Sequence, residues 1–245
     1  MILLVLPALA SSFEPVVTDL GGGARIDWTE LRLEVQASHA RSGSEGTKAV
    51  EELARRTVED GMGPAADRIP IAPGDLFVTL RDSPELWPAV APRIGRWMAI
   101  ENRYHSSGRV TITGALPLVE LLKPVSLAMA SSRTGPEAEV SGIVLDARGL
   151  KVEPCFAPEV RGPGGEVLYD GRMWVETAVE VAPAVWVSDA AHPAADRAGS
   201  SAFVSRVASA EGCVLTVPVE AARTLGVIGE TRLIGEGRVV IVVDP

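Results

Sequence analysis

Residues Ser141 to Gly171 read SGIVLDARGLKVEPCFAPEVRGPGGEVLYDG, and this stretch sets the fold class of the C-terminal half. Ile143, Val144 and Leu145 form a short apolar strand that runs straight into Asp146-Ala147-Arg148-Gly149-Leu150. A second extended piece, Ala157 to Val160, meets the turn Gly162-Pro163-Gly164-Gly165, and Val167 to Tyr169 returns from it. Two apolar runs separated by a Gly/Pro cluster predict a hairpin.

Working outward, the C-terminal half reads as mainly β. Val239 to Val243 is apolar at every position, which predicts a central strand covered on both faces. One helix is expected at Val219 to Leu225, just before that closing strand. The polar, Pro/Gly-containing run from Ser131 to Glu137 reads as a linker. Upstream of it, Phe13 to Gly23 reads as a loop, and Ile26 to Ala37 as one half-buried strand. There Leu31, Leu33, Val35 and Ala37 share a face opposite Arg32, Glu34 and Gln36.

A helix is predicted over Thr47 to Asp60, with Val50, Leu53, Ala54, Thr57 and Val58 on one stripe. Gly61-Met62-Gly63 follows the last periodic residue and reads as its C-cap. A short helix is expected between Ser83 and Ile94, with Ser83 as cap and Pro84 at the first helical position. Trp97 to Tyr104 and Arg109 to Gly114 read as a hairpin over Ser106-Ser107-Gly108. The expected fold class is therefore α+β. A small antiparallel sheet with a covering helix fills residues 13–130, and a β-rich unit with one helix fills 138–245.

Several blocks resemble a known group of proteins. These are the DARGL stretch with its hairpin, IDWTELRLEVQAS, ENRYHSSGRVTITGALPLVELL, DRAGSSAFVSRV and GEGRVVIVVD. The pattern resembles uncharacterised exported bacterial proteins related to the twenty-kilodalton outer-membrane lipoprotein family and to flagellar assembly protein T. The resemblance implies an exported protein with a binding or scaffolding role near a flagellar or outer-membrane-associated assembly. It also implies a loop after the strand–turn–strand that ends near Leu122. It brings no chemical motif and no cofactor.

The N-terminus agrees with export. Met1 to Ala10, MILLVLPALA, is an apolar run ending in Ala8-Leu9-Ala10, the pattern of a signal-peptide remnant with an A-x-A cleavage site. No Cys follows Leu9-Ala10, so the sequence departs from the lipoprotein members and offers no lipid attachment point. No other run approaches the about 20 apolar residues of a membrane span. The formal charge of −9 over 245 residues argues against a nucleic-acid partner, because such a binder needs a basic face to displace counterions.

Cys155 and Cys213 are the two cysteines. An oxidising periplasm would let them pair; the alternative is two separate buried thiols. Neither has a neighbouring His or Cys, and His39, His105 and His192 lack metal-ligand spacing, so no metal site is expected. No P-loop or nucleophile elbow is present, and a hydrolase is the least supported class.

The candidate partner- or ligand-binding residues are Asp146, Arg148 and Trp186. Asp146 and Arg148 read either as a pair gripping a carboxylate or saccharide at a strand end, or as a structural bracket. In the bracket, Arg148 bonds loop carbonyls and Asp146 acts as charge partner or turn-former. The bracket is the preferred reading. Trp28, Trp87, Trp97, Trp174 and Trp186 are expected mainly as core or sheet-face residues, with Trp186 the most open because Ser188 to Asp196 follows it. The functional expectation is a non-enzymatic envelope protein that joins a protein assembly, such as the flagellar basal body, or a homo-oligomer. The alternative is a cell-wall or polysaccharide binder.

Overall fold

The computed structural model describes residues 13–131, 136–175, 180–229 and 231–245. The expected signal remnant at 1–10 and the middle of the expected linker lie outside them. The fold is α+β, with an antiparallel sheet in the N-terminal half and a mainly strand C-terminal half.

The chain opens with β1 (Val17–Gly21), β2 (Ala24–Asp27) and β3 (Arg32–His39), joined by antiparallel pairing. Two expectations are corrected here. The segment read as a loop before Gly23 contains β1, and the strand read over 26–37 is split into β2 and β3. The side chain of Asp27 causes the split, because it accepts the backbone N–H groups of Thr29 (3.1 Å) and Glu30 (2.9 Å). That local bonding offers the chain a turn in place of a ladder. Leu31 closes the turn with φ of 53°, a conformation unusual for a branched apolar residue, which periodicity could not foretell. Within β3, Leu33, Val35 and Ala37 are buried as expected, but Glu34 on the opposite face is buried too, held by ion pairs with Arg25 and Arg32.

Helix α1 (Thr47–Ala66) packs across β3 and the later strand Val110–Pro117. It runs a full turn and more past the expected stop, through Gly61, Gly63 and Pro64. Tertiary packing overrides the breakers, since Met62, Ala65 and Ala66 are all buried beneath this extension. Gly61 also serves contact, because a Cβ there would lie 3.0 Å from Val35 Cγ1.

Next come β4 (Pro70–Ala72) and β5 (Asp75–Leu76), paired as a small hairpin, and a 3-10 turn over Phe77–Asp82. The expected short helix is α2 (Trp87–Val90) continued by a 3-10 turn over Ala91–Arg96. It starts three residues later than expected, at Trp87 and not Pro84: Ser83 Oγ accepts the N–H of Leu86 at 3.2 Å within the turn that leads in, and the N-cap position, Leu86, has no side-chain cap. Strands β6 (Met98–Tyr104) and β7 (Val110–Pro117) form the expected hairpin and complete the sheet in the order β1-β2-β3-β7-β6. Gly114 in β7 lets α1 sit close: a Cβ there would meet Val58 Cγ1 at 2.6 Å and Trp97 Cε3 at 2.7 Å.

Where a loop was expected after the hairpin, helix α3 (Leu118–Met129) follows. Leu118, Leu121 and Leu122 are buried and Val125 partly so, the spacing of an apolar helix face, and it carries the helix through Pro124. Strand β8 (Ala130–Ser131) then pairs in parallel with a later two-residue strand.

The C-terminal half begins with β9 (Ile143–Asp146). The expected hairpin follows as β10 (Glu159–Arg161) and β11 (Val167–Asp170), then β12 (Trp174–Val175), the partner of β8. The remaining elements are β13 (Ala184–Val187), β14 (Phe203–Arg206), β15 (Ser209–Glu211), β16 (Val214–Thr216), α4 (Val219–Gly229) and β17 (Val239–Val242). Two sheets result. One is parallel, ordered β13-β17-β9-β14, and the other is mixed, ordered β11-β10-β16-β15. As expected, β17 is interior and buried at all four positions.

The halves share one apolar core. Across the junction, Phe156 and Ala157 donate their N–H groups to the carbonyls of Pro70 (3.0 Å) and Ile71 (2.9 Å). Thr29 Oγ1 donates to the carbonyl of Trp186 at 2.9 Å, and β8 pairs with β12. Among the described residues, no helix is long and apolar enough to cross a membrane.

Candidate functional site at the junction cleft

Asp146 ends β9, and Arg148 folds straight back onto it. The Arg148 guanidinium donates Nε to Oδ1 (2.9 Å) and Nη2 to Oδ2 (2.7 Å), while its backbone N–H reaches Oδ1 at 3.1 Å. These bonds from Arg148 hold the Asp146 carboxyl down at about 2, below the usual carboxylate range. The same pairing raises the pKa of Arg148. Of the two sequence readings, the arrangement matches the bracket, with Asp146 as both turn-former and charge partner. It differs in one respect: the guanidinium of Arg148 binds Asp146 and not loop carbonyls. Gly149 continues the turn with φ of 83°, and its N–H donates to Asp244 Oδ2 at 2.8 Å. This loop is thereby tied to the end of β17.

From Gly149 the chain runs along the rim of a cleft. Val152 to Cys155 form part of one wall, and Cys155 is joined by a disulfide to Cys213, with the Cα atoms 5.9 Å apart. The N–H of Glu153 donates to the carbonyl of Gly212 at 3.1 Å, which adds a second tie between the same two segments. Behind them lies Trp186. Its ring is fully buried, and Nε1–H donates to the Cys155 carbonyl at 2.9 Å. Trp186 is therefore not the open ring that the polar segment after it suggested. It occupies a wholly buried strand, β13, and supports the disulfide from within.

The cleft measures about 930 Å³ and lies where the two halves meet. Its other walls are Val16 to Leu20 on β1, the β4–β5 hairpin with the turn Pro73-Gly74, and residues Val243 to Pro245. Five carboxylate side chains line it, those of Asp19, Asp75, Glu153, Glu211 and Asp244, against the single guanidinium of Arg68. Arg68 is itself engaged, donating Nη1 to the carbonyl of Leu20. The surface is thus electronegative, with apolar side chains such as Val17 and Leu76 exposed beside the acids. Two strand edges border it, because β1 ends the N-terminal sheet and β15, which contributes Glu211, ends the mixed sheet.

Residues 142–245 match the family described as Treponema pallidum Tp0624, second domain. The match begins just before β9, and no match among curated proteins is found. The Tp0624-like span holds the Asp146–Arg148 bracket, the disulfide and Trp186. The β1 and β4–β5 walls of the cleft come from outside it.

The other sequence candidates are placed as follows. Trp28 is buried, with Nε1–H donated to Thr18 Oγ1 at 2.8 Å. Trp87 and Trp97 are half-buried and face the guanidinium groups of Arg81 (4.8 Å) and Arg55 (5.8 Å). The side chain of Trp174 lies outside the described residues. His39 pairs with Thr57 (2.8 Å), His105 with Thr111 (3.2 Å), and His192 Nδ1 accepts the N–H of Ala194 (3.0 Å). Among the described residues, no group of three His, Cys, Asp or Glu side chains is placed to hold a metal. Tyr169 is buried, which pushes its hydroxyl pKa up, and it donates to the Pro183 carbonyl at 2.9 Å. The cleft itself escaped the sequence reading. Its walls come from separate segments, and the one local signal was the Pro73-Gly74 turn.

Proposed function

We propose that this chain is a non-enzymatic envelope protein that binds and scaffolds a protein assembly, of the flagellar or outer-membrane-associated kind. The observation that carries the reading is the junction cleft, bordered by the edges of β1 and β15 and walled by cross-linked segments. An extended segment of a partner can add to such an edge as a further strand, taking affinity from main-chain bonds and specificity from neighbouring side chains. The excess of carboxylates favours a partner segment rich in Lys or Arg.

Two features support the compartment. A disulfide such as Cys155–Cys213 persists in oxidising surroundings such as the periplasm. The N-terminal MILLVLPALA has the composition of a leader. The resemblance to flagellar assembly protein T supports the kind of assembly. The polysaccharide alternative called for two open Trp rings along one groove; none of the four described Trp rings is exposed, so no observation favours it.

The test is a cross-linked pull-down of the tagged protein from whole envelopes, run beside the variant Asp75→Lys/Glu153→Lys. The reading expects ring or basal-body components with the parent protein and their loss with the variant. Recovery of the protein alone, or with wall fragments only, would overturn it.

A further inference from the structure

The opposite edge of the N-terminal sheet lies apart from the cleft and is open among the described residues. Strand β6 is the last strand in the order β1-β2-β3-β7-β6, so among the described residues one whole side of its backbone is unpaired. It is seven residues long, and every residue except the half-buried Glu101 is exposed, including Met98 at 59% and Tyr104 at 56%. An edge of this length is a template for another strand unless something blocks it. The bulge between Ala99 and Glu101 protects the first half only.

The charges on the free part of β6 are arranged in a self-complementary way. Glu101 lies opposite Thr113 and Arg103 opposite Thr111. Gly114 of β7 faces Val58 on α1, so by alternation Thr111 and Thr113, and with them Glu101 and Arg103, lie on the face turned away from the helix. In one chain these two side chains pair along the strand, with Arg103 Nε 2.6 Å from Glu101 Oε1.

We infer that β6 pairs antiparallel with β6 of a second copy of this chain, about a two-fold axis at Asn102. Antiparallel pairing requires outward-facing backbone groups to meet outward-facing groups, which restricts the axis to residue positions. Centred on Glu101, the two Glu101 side chains would oppose each other. Centred on Arg103, the two Arg103 side chains would do so. Centred on Asn102, each Glu101 faces Arg103 of the other copy, and opposite charges directly across two strands are favourable while like charges are not. Among the three axes through the charged segment, at residues 101, 102 and 103, charge therefore selects the one at Asn102. The interface is isologous and closes at two copies, joining two five-stranded sheets into one. It stands apart from the cleft, which borders the other edge of the same sheet, so either can fail without the other.

The experiment is sedimentation velocity at low salt on the purified chain at about 100 μM, a concentration suited to an interface of the small, polar class. The wild-type mass is expected to rise from 25.8 kDa toward twice that value. Glu101→Arg and Arg103→Glu are each expected to stay monomeric, because either change sets like charges across the axis. An equimolar mixture of the two variants is expected to recover the dimer, since one copy then carries two Arg and the other two Glu. That recovery also shows both variants to be folded. A wild-type protein that stays monomeric, or single variants that dimerise like the wild type, would overturn the inference.

Discussion

The indole N–H of Trp186 donates to the carbonyl of Cys155 across 2.9 Å, inside a fully buried site. The parallel sheet therefore supports the disulfide wall of the cleft directly. Trp186→Phe keeps most of the volume but leaves the Cys155 carbonyl without a donor, which is expected to cost about 1–3 kcal/mol. Trp186→Ala adds a cavity and is expected to cost about 3–5 kcal/mol. Urea denaturation at neutral pH measures both, and equal losses for the two would contradict this placement.

The disulfide closes a loop across a sequence separation of 58 residues. On the chain-entropy account it contributes about 4 kcal/mol. Cys155→Ser/Cys213→Ser should lower stability by an amount of that order, and a reductant should shift the wild-type midpoint while leaving the double variant unmoved. A double variant as stable as the wild type would contradict the stabilising cross-link between these segments.

Two glycines on the contact between α1 and the sheet should respond differently to alanine. At Gly114 the new Cβ would lie 2.6 Å from Val58 Cγ1 and 2.7 Å from Trp97 Cε3, so Gly114→Ala should destabilise by about 1–3 kcal/mol. At Gly61 the Cβ meets only Val35 Cγ1 at 3.0 Å. There a helix-propensity gain of up to about 1 kcal/mol offsets the crowding, so Gly61→Ala should be close to neutral. Thermal melts of the two variants separate these outcomes.

The Asp146–Arg148 bracket carries a pH signature. Arg148 lowers the folded pKa of Asp146 to about 2, below the ordinary value of about 3.9 for an unfolded chain. The stabilisation is complete above pH of about 4 and is lost as pH falls through about 2. Because both side chains are substantially open to solvent, screening keeps its size small. Asp146→Asn should be slightly less stable than the wild type at pH 7, and the gap should close as pH falls through about 2. A gap that widens in acid would contradict the assigned pairing.

Much of this fold was legible where local pattern and tertiary environment agree. Val239 to Val243 reads as a central strand because it is apolar throughout, and β17 is buried between β13 and β9. The Gly162 to Gly165 turn punctuates its hairpin as its residues demand. The misses fall where distant contacts overrule local signals. Gly61, Gly63 and Pro64 look like a helix stop, but the burial of Met62, Ala65 and Ala66 keeps α1 going. The loop that the family resemblance implied after the hairpin is helix α3, whose face Leu118, Leu121 and Leu122 carry. Ser188 to Asp196 looked like an open flank for Trp186, but burial of a ring follows its strand's place in the sheet and not its neighbours in sequence. The Asp146–Arg148 bracket was readable because its partners are two residues apart. The cleft was not, because Asp19, Asp75, Glu153 and Asp244 meet only after both halves have packed.

The most direct test of the scaffolding account is partner capture through the junction cleft. The tagged chain is cross-linked in whole envelopes and its partners are identified by mass, with Asp75→Lys/Glu153→Lys run in parallel and checked by circular dichroism for an unchanged fold. The account predicts that ring or basal-body proteins are recovered with the wild type and lost with the charge-reversed cleft. Recovery of the wild-type chain alone, or of the same partners in equal amount with the folded variant, would contradict it.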